Sequence, residues 1–298
     1  MNNVVPVVFC FDSRIIAGAS VAIMSLFDSA AAATAYDLRI FHSDLSLKDQ
    51  RNLTLLAEGT RHNITFHYIP PEIFKGAPHN NKSWTELVYY RLLIPEIMQE
   101  YDKVIYSDVD VLFKGDLADV YNINLDGYEI AAVPVERNDE KNMVCHKYFP
   151  ENRNDLIYIS SFLVFNNALM RAENTVEKFK ETIRVIGKRL NMYDLDTLNI
   201  TCTRFLPISF RYGTFQSVMF NDDITQAQEY AFLQGVYSDD ELLAAKAGTV
   251  MIHYAGRMGK PWRMKNPYPD YQAYLDKLPA ELKRFTFRDW RKKLFNKR

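Results

Sequence analysis

The chain has 298 residues, of which 48% are hydrophobic and 13% aromatic, and its formal net charge is −1. This length accommodates one large domain, or one domain with an appendage, around an ample core. A near-zero charge lacks the basic excess that is typical of nucleic-acid-binding proteins, and we expect no nucleic-acid partner. The three cysteines lie far apart and form no CxxC, so neither a disulfide framework nor a zinc site is indicated, and a reducing compartment is the simplest interpretation.

The apolar run at residues 4–11 follows no basic segment. It is too short for a signal peptide or a membrane span, and no other stretch is long enough to cross a bilayer. We therefore expect a cytoplasmic protein. Its basic C-terminal end, described below, is a candidate for peripheral attachment to the inner face of the cytoplasmic membrane.

Strand and helix patterns alternate along the first part of the chain. The predicted strands are residues 4–11, 38–41 and 64–69, and the predicted helices are residues 18–33 and 46–58. Ser46 with Asp49 resembles a helix N-cap and its first turn. This β-α-β-α-β order is typical of a parallel, doubly wound sheet.

The same patterns continue through the rest of the chain. The predicted helices are residues 85–94, 171–190, 194–200 and 239–246, and the predicted strands are residues 104–106, 128–133, 157–165 and 249–254. Residues 137–155 are polar and irregular, and we expect a mobile excursion over the surface there.

The stretch at residues 104–116 organises the chain. Its apolar start, residues 104–106, is typical of a buried parallel strand that stops at Asp108 and Asp110. Residues two apart in an extended segment point to the same side, so both carboxylates can meet at the strand end where α/β sheets bind ligands. Paired carboxylates favour a divalent cation between them. A polar exit from the strand into a loop is the equally weighted alternative.

Four stretches together carry a resemblance to a known family: residues 8–12, 108–110, 194–199 and 253–262. Their order and spacing resemble glycosyltransferase family 8, the retaining GT-A enzymes that include bacterial lipopolysaccharide galactosyl- and glucosyltransferases and glycogenin. The most specific parts read DKVIYSDVDVLFKGDL and HYAGRMGKPW. The resemblance implies an α/β GT-A fold for residues 1–262, with a Rossmann-like, mostly parallel central sheet and flanking helices.

The resemblance assigns a metal and diphosphate site. Asp108 and Asp110 match the D-x-D pair that holds Mn²⁺, or Mg²⁺, against the diphosphate of a UDP-sugar, and His253 matches the third protein ligand. Gly256 would let the backbone approach phosphate closely, and Lys260 would supply a positive charge to the diphosphate. A histidine that packs in the core and a lysine at the surface are the alternatives.

The resemblance also assigns residues around the nucleotide and the sugar. Cys10 and Asp12 match positions that hold uracil and ribose, although Asp12 is also typical of a residue that starts a helix. Arg91 matches an arginine that steadies Asp108 or the sugar, and Asp194 matches an aspartate that hydrogen-bonds sugar hydroxyls. The implied reaction is substitution at the anomeric carbon with retention, in which the departure of UDP is assisted by the metal.

Three positions depart from the pattern of the family. Leu195 stands where the family commonly has glutamine, and it can act neither as a nucleophile nor as an electrostatic stabiliser. Ile159 stands where a sugar-contacting asparagine is usual. An aspartate expected after residues 128–133 is out of register, and Glu136 is a possible substitute. These departures concern the sugar half of the site, so the identity of the donor sugar stays open.

Residues 263–298 form the predicted helical, basic and aromatic appendage. From residue 283 onward, lysines and arginines interleave with phenylalanine, tryptophan and leucine. A helix of this composition could lie on an anionic membrane surface, as the lipid-linked acceptors of bacterial relatives suggest. A terminal helix whose aromatic side chains pack on the main domain is the alternative, and both can hold.

The sequence therefore predicts a UDP-sugar-dependent hexosyltransferase. Its acceptor would be a lipopolysaccharide, capsular or other surface glycan or glycolipid. One alternative is a module of the same fold that binds a nucleotide-sugar without turnover, motivated by Leu195 and Ile159. Another is a phosphatase of the haloacid dehalogenase type, which also ends a strand in D-x-D. That class requires Gly and Thr or Val after the second aspartate, whereas Val111 and Leu112 follow here.

Overall fold

The computed structural model describes residues 3–79 and 85–286. The strands of this part are β1 (Asn3–Cys10), β2 (Thr34–His42), β3 (Asn63–Tyr68), β4 (Lys103–Ser107), β5 (Val111–Phe113), β6 (Ile130–Arg137), β7 (Leu156–Asn166), β8 (Phe205–Pro207), β9 (Thr214–Phe215) and β10 (Met251–His253). The α-helices are α1 (Ile16–Asp28), α2 (Leu47–Thr54), α3 (Ile94–Ile97), α4 (Ala118–Tyr121), α5 (Asn167–Ala172), α6 (Thr175–Ile186), α7 (Tyr193–Thr201), α8 (Gln216–Phe220), α9 (Tyr230–Leu233), α10 (Asp239–Ala247) and α11 (Pro269–Lys277).

The central sheet has seven strands in the order β3-β2-β1-β4-β7-β6-β8. Parallel pairing joins β1 to β2 and to β4, β2 to β3, and β6 to β8. Strand β7 runs antiparallel to both of its neighbours, β4 and β6. The predicted α/β class with a mostly parallel central sheet is therefore confirmed, although β4, predicted as a parallel strand, is parallel on one side only.

Both faces of the central sheet are covered. Successive residues of β1 alternate between two core clusters, with Val7 and Phe9 in one and Val8 and Cys10 in the other. Helix α1 contributes to the first cluster, whereas α6 and α7 contribute to the second. Because both faces are buried, the central strands appear in the sequence as continuous apolar runs.

Two predicted helices differ from the observed ones. Residues 85–94 form a 3₁₀ helix over Glu86–Leu93, which continues into the single turn of α3. Pro95 lies in the first turn of α3, where a helix tolerates the missing N–H of proline. Residues 171–190 do not form one helix. Asn174 adopts a left-handed conformation with φ 54°, which separates α5 from α6. The apolar periodicity of α6 is real, but periodicity alone does not reveal such a break.

A second, three-stranded sheet has the order β5-β10-β9 and brings distant parts of the chain together. Strand β5 begins directly after Asp110, and β10 ends at His253. In their antiparallel register His253 lies opposite Val111, and the backbone N–H of Tyr254 donates to the carbonyl of Asp110 at 2.9 Å. This pairing brings His253 beside the two aspartates, although it follows them by more than a hundred residues.

The segment after β10 returns to the first helix. The ring of Trp262 packs on Gly18 of α1, where an added Cβ would lie 2.9 Å from Trp262 Cε3. Tyr271 and Leu275 of α11 join the same cluster as Val21. Of the predicted appendage at residues 263–298, residues 287–298 lie outside the described part, so its boundary and its helical tail stay predictions. Among the described residues, no helix combines the length and apolarity needed to cross a membrane.

Candidate functional site

Three side chains converge where β4 meets the second sheet. His253 Nε2 lies 3.5 Å from Asp110 Oδ1 and 4.0 Å from Asp108 Oδ2. One ligand atom from each residue lies within 4.8 Å of the others, which is close enough for all three to bind one metal ion. Asp108 and Asp110 are partly exposed and His253 is buried, so the cluster opens to solvent on the carboxylate side.

The other oxygen of each aspartate is already engaged. Asp108 Oδ1 accepts a hydrogen bond of 2.6 Å from the hydroxyl of Tyr106 and pairs with Arg91 at 3.1 Å. Asp110 Oδ2 pairs with the ammonium group of Lys260. These contacts leave Asp108 Oδ2, Asp110 Oδ1 and the imidazole nitrogen of His253 facing the same point.

The donor set fits a transition-metal ion. Two carboxylate oxygens and one imidazole nitrogen suit Mn²⁺ better than Ca²⁺, which prefers oxygen ligands alone. Burial would raise the pKa of Asp110, but the nearby Lys260 ammonium and His253 outweigh it and hold that pKa well below its usual value. The carboxylate of Asp110 is therefore ionised, as a metal ligand must be.

Lys260 pairs with one of the two carboxylates in this structure. Its Nζ donates to Asp110 Oδ2 and, at 2.9 Å, to the carbonyl of Tyr254. The sequence predicted that Lys260 faces a diphosphate, so its pairing with Asp110 is a difference that sequence reasoning did not foresee. Its approach to a diphosphate stays a prediction.

Arg91 joins the aspartate pair to the opposite side of the site. Its guanidinium lies 3.1 Å from Asp108 Oδ1 and 3.1 Å from Asp194 Oδ2, and 4.3 Å from the ring centroid of Tyr106. It also donates to the carbonyl of Ser160 at 2.7 Å. Although burial favours a neutral group, the two carboxylates raise the pKa of Arg91, which stays charged. The family resemblance predicted that Arg91 steadies Asp108 or the sugar, and the structure brings Arg91 and Asp108 into contact.

Asp194 is a buried carboxyl at the start of α7. Burial raises its pKa to about 6, because desolvation outweighs the attraction of Arg91. Tyr193, the preceding residue, has a positive φ of 33°. The carboxylate of Asp196 accepts backbone N–H groups of Asn191 at 2.6 Å and Met192 at 2.8 Å. These bonds fix the turn that presents Asp194.

Cys10 and Asp12 lie at the carboxyl end of β1. Cys10 is buried, and burial raises the pKa of its thiol, which therefore stays protonated. Asp12 caps the 3₁₀ helix Ser13–Ile15, and its Oδ2 accepts the guanidinium of Arg14 at 2.8 and 2.5 Å. The alternative interpretation of Asp12 as a helix-starting residue therefore describes its contacts here. Its role toward a nucleotide stays a prediction.

Gly256 lies in the loop that follows His253. Its φ is +80°, a conformation that side chains rarely adopt, and an added Cβ would lie 2.5 Å from Glu229 Oε1. The sequence attributed this glycine to close approach of a phosphate. The structure gives it two further reasons, which are the left-handed turn and the carboxylate that lies against it.

Sequence reasoning missed four residues that contact this site. Tyr106 was assigned only to the core of a strand, yet its hydroxyl donates to Asp108. Gln216 Nε2 donates to the carbonyls of Ala255 and Gly259 at 2.6 and 3.1 Å. The other two, Gln228 and Glu229, contact the turn at Gly256. The partners of Gln216, Gln228 and Glu229 are far away in sequence, and the bond of Tyr106 depends on the direction of its side chain in the folded strand, so no periodicity or local motif could have identified them.

The residues that depart from the family pattern in the predicted sugar half are mostly buried. Ile159 and Leu195 belong to the larger core cluster and are 5% and 8% exposed. Ile159 Cδ1 lies 2.8 Å from the position of a Cβ on Gly213, which explains why that position has no side chain. The side chains at the two altered positions are therefore apolar and tightly packed.

Glu136 is held by the polar excursion that follows β6. Its carboxylate accepts the backbone N–H groups of Val144, Cys145 and His146 and lies 2.7 Å from His146 Nδ1. Burial would raise the pKa of Glu136, but these hydrogen bonds lower it to about 2. Glu136 therefore anchors the segment at residues 137–155, and its hydrogen-bonding capacity is used there.

Comparison with known proteins agrees with this geometry. The sequence model of glycosyl transferase family 8 matches residues 6–266. A lipopolysaccharide 1,3-galactosyltransferase of Salmonella typhimurium is 27% identical over 275 residues, which is 90% of this chain and 76% of that protein. A lipopolysaccharide 1,2-glucosyltransferase of Escherichia coli K12 is 24% identical over 231 residues, which is 75% of this chain but 63% of that protein. The chain thus spans less than two thirds of this second relative.

Solved structures show the same fold. The bifunctional glycosyltransferase WbbM superposes with a TM-score of 0.73 and 22% identity, covering 99% of this chain and 52% of that chain. The galactosyltransferase LgtC, in complex with donor and acceptor sugar analogues, gives a TM-score of 0.71 and 21% identity, covering 97% and 99%. At these identities the likeness concerns the fold, and the predicted GT-A fold is confirmed.

Proposed function

The chain belongs to glycosyl transferase family 8, and we propose that it transfers a hexose from a UDP-sugar in a metal-dependent reaction that retains the anomeric configuration. The observation that carries this proposal is the convergence of Asp108 Oδ2, Asp110 Oδ1 and His253 Nε2 at one point. As a member of this family the chain is a glycosyltransferase, and its donor, metal and acceptor are specified below as proposals. Its membership of the family excludes the phosphatase alternative.

The metal-binding residues in the proposal are Asp108, Asp110 and His253. Mn²⁺, or Mg²⁺, bound there would neutralise the charge that develops on the departing diphosphate. Arg91 holds Asp108 Oδ1, so that Oδ2 keeps its direction. Lys260 would exchange its contact with Asp110 for the diphosphate and stabilise the same charge.

Asp194 and the end of β1 would bind the rest of the donor. Above pH 6 the buried carboxylate of Asp194 is mainly ionised, and it would accept hydrogen bonds from sugar hydroxyls. Cys10 and Asp12 would contact the uridine, and Gly256 would let the backbone approach the phosphates. Arg91 pairs with Asp194 as well as with Asp108, so it would couple sugar binding to metal binding.

The acceptor we propose is a bacterial surface glycan, such as a growing lipopolysaccharide or capsular chain, at the inner face of the cytoplasmic membrane. The names of the Salmonella and E. coli relatives support this choice. The basic and aromatic residues from 283 onward would attach the protein to anionic lipid. Deletion of residues 283–298 should weaken sedimentation with anionic liposomes and spare UDP binding, and equal sedimentation of both forms would contradict this role.

The test of the proposed function is a calorimetric and thermal-shift panel of UDP-sugars, each with Mn²⁺ and with a chelator. We expect one sugar to bind in a Mn²⁺-dependent way and to be slowly hydrolysed. Absence of Mn²⁺-dependent binding for every donor would refute the proposal.

A second candidate is a nucleotide-sugar-binding module without turnover. It is favoured by the apolar, buried side chains Ile159 and Leu195, which offer no hydrogen bonds to a sugar. The same panel separates the two candidates. Binding of UDP with no preference among sugars and no hydrolysis would support the module, whereas transfer or hydrolysis above background would exclude it.

A further inference from the structure

Glu229 bridges the two segments that leave β9 and β10. Phe215, the last residue of β9, pairs with His253 in parallel register. Two residues beyond Phe215, the hydroxyl of Ser217 donates to Glu229 Oε2. Three residues beyond His253, Gly256 lies against the other oxygen, Oε1, with only 2.5 Å between that oxygen and an added Cβ. The carboxyl group thus lies beside the strand pair that contains His253.

The burial of Glu229 requires an explanation. Its side chain is 4% exposed, and within residues 3–79 and 85–286 it forms no ion pair. A buried carboxylate without a cation is costly, because hydrogen bonds replace only part of its hydration. Burial accordingly raises the pKa of Glu229, and the charge of His253 partly opposes this shift.

The imidazole of His253 also carries a polar atom that has no hydrogen-bond partner among the described residues. Its Nε2 faces the two aspartates, whereas its Nδ1 is buried and lacks a hydrogen-bond partner among the described residues. Histidines that bind metals almost always donate their second N–H to a carboxylate, a carbonyl or a water, which fixes the ring orientation and makes the ligand more basic. Glu229 is a buried carboxyl group held against the segments that leave β9 and β10, and it has the chemistry that this requirement calls for.

The loop that carries Lys260 depends on the same region. Gln228 Oε1 accepts the backbone N–H of Arg257 at 3.0 Å, directly after Gly256. Gln216 donates to two carbonyls of the same loop. The carboxylate of Glu229 lies against the left-handed turn at Gly256, so its size and position determine where the loop begins.

We propose that Glu229 is a positioning residue, which orients His253 as a metal ligand and seats the Gly256 turn that leads to Lys260. This inference rests on the proposed metal-dependent function. It assigns to Glu229 no contact with substrate. Its two actions differ in kind, because orientation of the imidazole requires a negative charge, whereas seating of the turn requires only a side chain of the right size.

Two substitutions separate these actions. Glu229→Gln keeps the size and the hydrogen bond of Ser217 but removes the charge, and we expect the affinity for Mn²⁺ to fall about 10- to 100-fold. Glu229→Ala removes both charge and size, so we expect a similar loss for Mn²⁺ and an additional loss of UDP affinity measured in chelator. The free Mn²⁺ concentration is measured by electron paramagnetic resonance during titration of the full chain, and UDP affinity by calorimetry.

Controls exclude a general structural effect. Glu129→Gln removes another buried carboxylate, 3% exposed, whose Oε2 accepts the backbone N–H groups of Thr203 and Arg204, and we expect unchanged Mn²⁺ affinity. Glu229→Asp keeps the charge and should bind Mn²⁺ more tightly than Glu229→Gln. Thermal unfolding in chelator verifies that each variant is folded.

The outcomes distinguish this inference from the proposed function. Wild-type chain that binds no Mn²⁺ would refute both. Wild-type chain that binds Mn²⁺, together with Glu229→Gln of equal affinity, would overturn the role of Glu229 alone. Equal Mn²⁺ affinities of Glu229→Asp and Glu229→Gln would likewise overturn it, because the charge would then be irrelevant.

Discussion

The predicted metal half of the candidate site and its predicted sugar half differ in whether their polar groups are free to bind a ligand. On the metal side, Asp108, Asp110 and His253 each keep one ligand atom directed at a common point. On the sugar side, Ile159 is buried in the core, and the carboxylate of Glu136 is occupied by the polar excursion. In the proposed function, the free charge of the site would therefore serve a cation and a diphosphate. Its sugar side would discriminate by shape and by few hydrogen bonds.

Arg91 is the residue whose loss should damage both halves most. Substitution by methionine leaves the carboxylates of Asp108 and Asp194 without their buried cation, and we expect the free energy of unfolding to fall by about 3–5 kcal/mol. Denaturant unfolding at pH 7 measures this loss. Arg171→Met is the control, because its partner Asp102 is exposed and such pairs contribute about 0–1 kcal/mol. A loss below 1 kcal/mol for Arg91→Met would contradict the bridging role.

Substitution of Asp110 tests the proposed metal site alone. Asp110→Ala removes a proposed metal ligand, and we expect Mn²⁺-dependent UDP affinity to fall by at least about 100-fold, since even outer-shell substitutions cost 10- to 100-fold. Calorimetry with Mn²⁺ and with chelator measures the effect. Asp102→Asn, just before β4 at the opposite end of the strand from Asp108, should bind as the wild type does. Unchanged Mn²⁺-dependent affinity of Asp110→Ala would refute the ligand assignment.

Glu136 tests whether the polar excursion is anchored by a charge. Its pKa is lowered to about 2 from the usual 4.5, so its stabilisation is complete above pH 4.5 and is lost as the pH falls toward 2. Glu136→Gln should lower the free energy of unfolding by about 1–3 kcal/mol at pH 7. The difference from the wild type should shrink between pH 4.5 and pH 2.

The measurement for Glu136 is a series of denaturant titrations across this pH range. Glu140→Gln, an exposed position in the same excursion, should differ little from the wild type at every pH. A difference between Glu136→Gln and the wild type that stays constant down to pH 2 would show that the carboxylate charge does not anchor the segment.

Leu195 should give the smallest effect, confined to the sugar half. Leu195→Met conserves volume and should cost less than about 1.5 kcal/mol of stability. We expect the affinity for UDP with Mn²⁺ to stay within about twofold, whereas the affinity for the preferred UDP-sugar falls about tenfold. Calorimetry with the two ligands measures the ratio. Equal changes for UDP and UDP-sugar would remove the distinction between the halves.

Much of the fold followed from the sequence because its determinants are local. The strand at residues 104–106 and its two aspartates could be predicted from an apolar run that ends in alternating acids. The N-cap of α2 was equally visible, since Ser46 and Asp49 stand three residues apart. The break at Asn174 could not be predicted, because its left-handed conformation leaves the apolar pattern intact.

Only part of the candidate site could be predicted from the sequence, because several of its contacts form only in the folded chain. His253 joins Asp108 and Asp110 through the β5–β10 register, which no local pattern encodes, and its assignment came from family resemblance. Tyr106 and Glu229 were missed because their roles depend on hydrogen bonds and burial in the folded chain. The pairing of Lys260 with Asp110 was missed for the same reason.

The pairing of Lys260 with Asp110 has a consequence for the order in which ligands load. A divalent cation bound at Asp110 Oδ1 would share that carboxylate with the ammonium group on Oδ2, so the two positive charges would repel each other and metal binding would weaken the hold of Asp110 on Lys260. The loosened lysine would then be available to a second anion. Thermodynamic linkage requires the reverse effect as well, because a diphosphate that attracts Lys260 lowers its repulsion of the metal. Cation and nucleotide would therefore bind with positive cooperativity that originates in a single side chain.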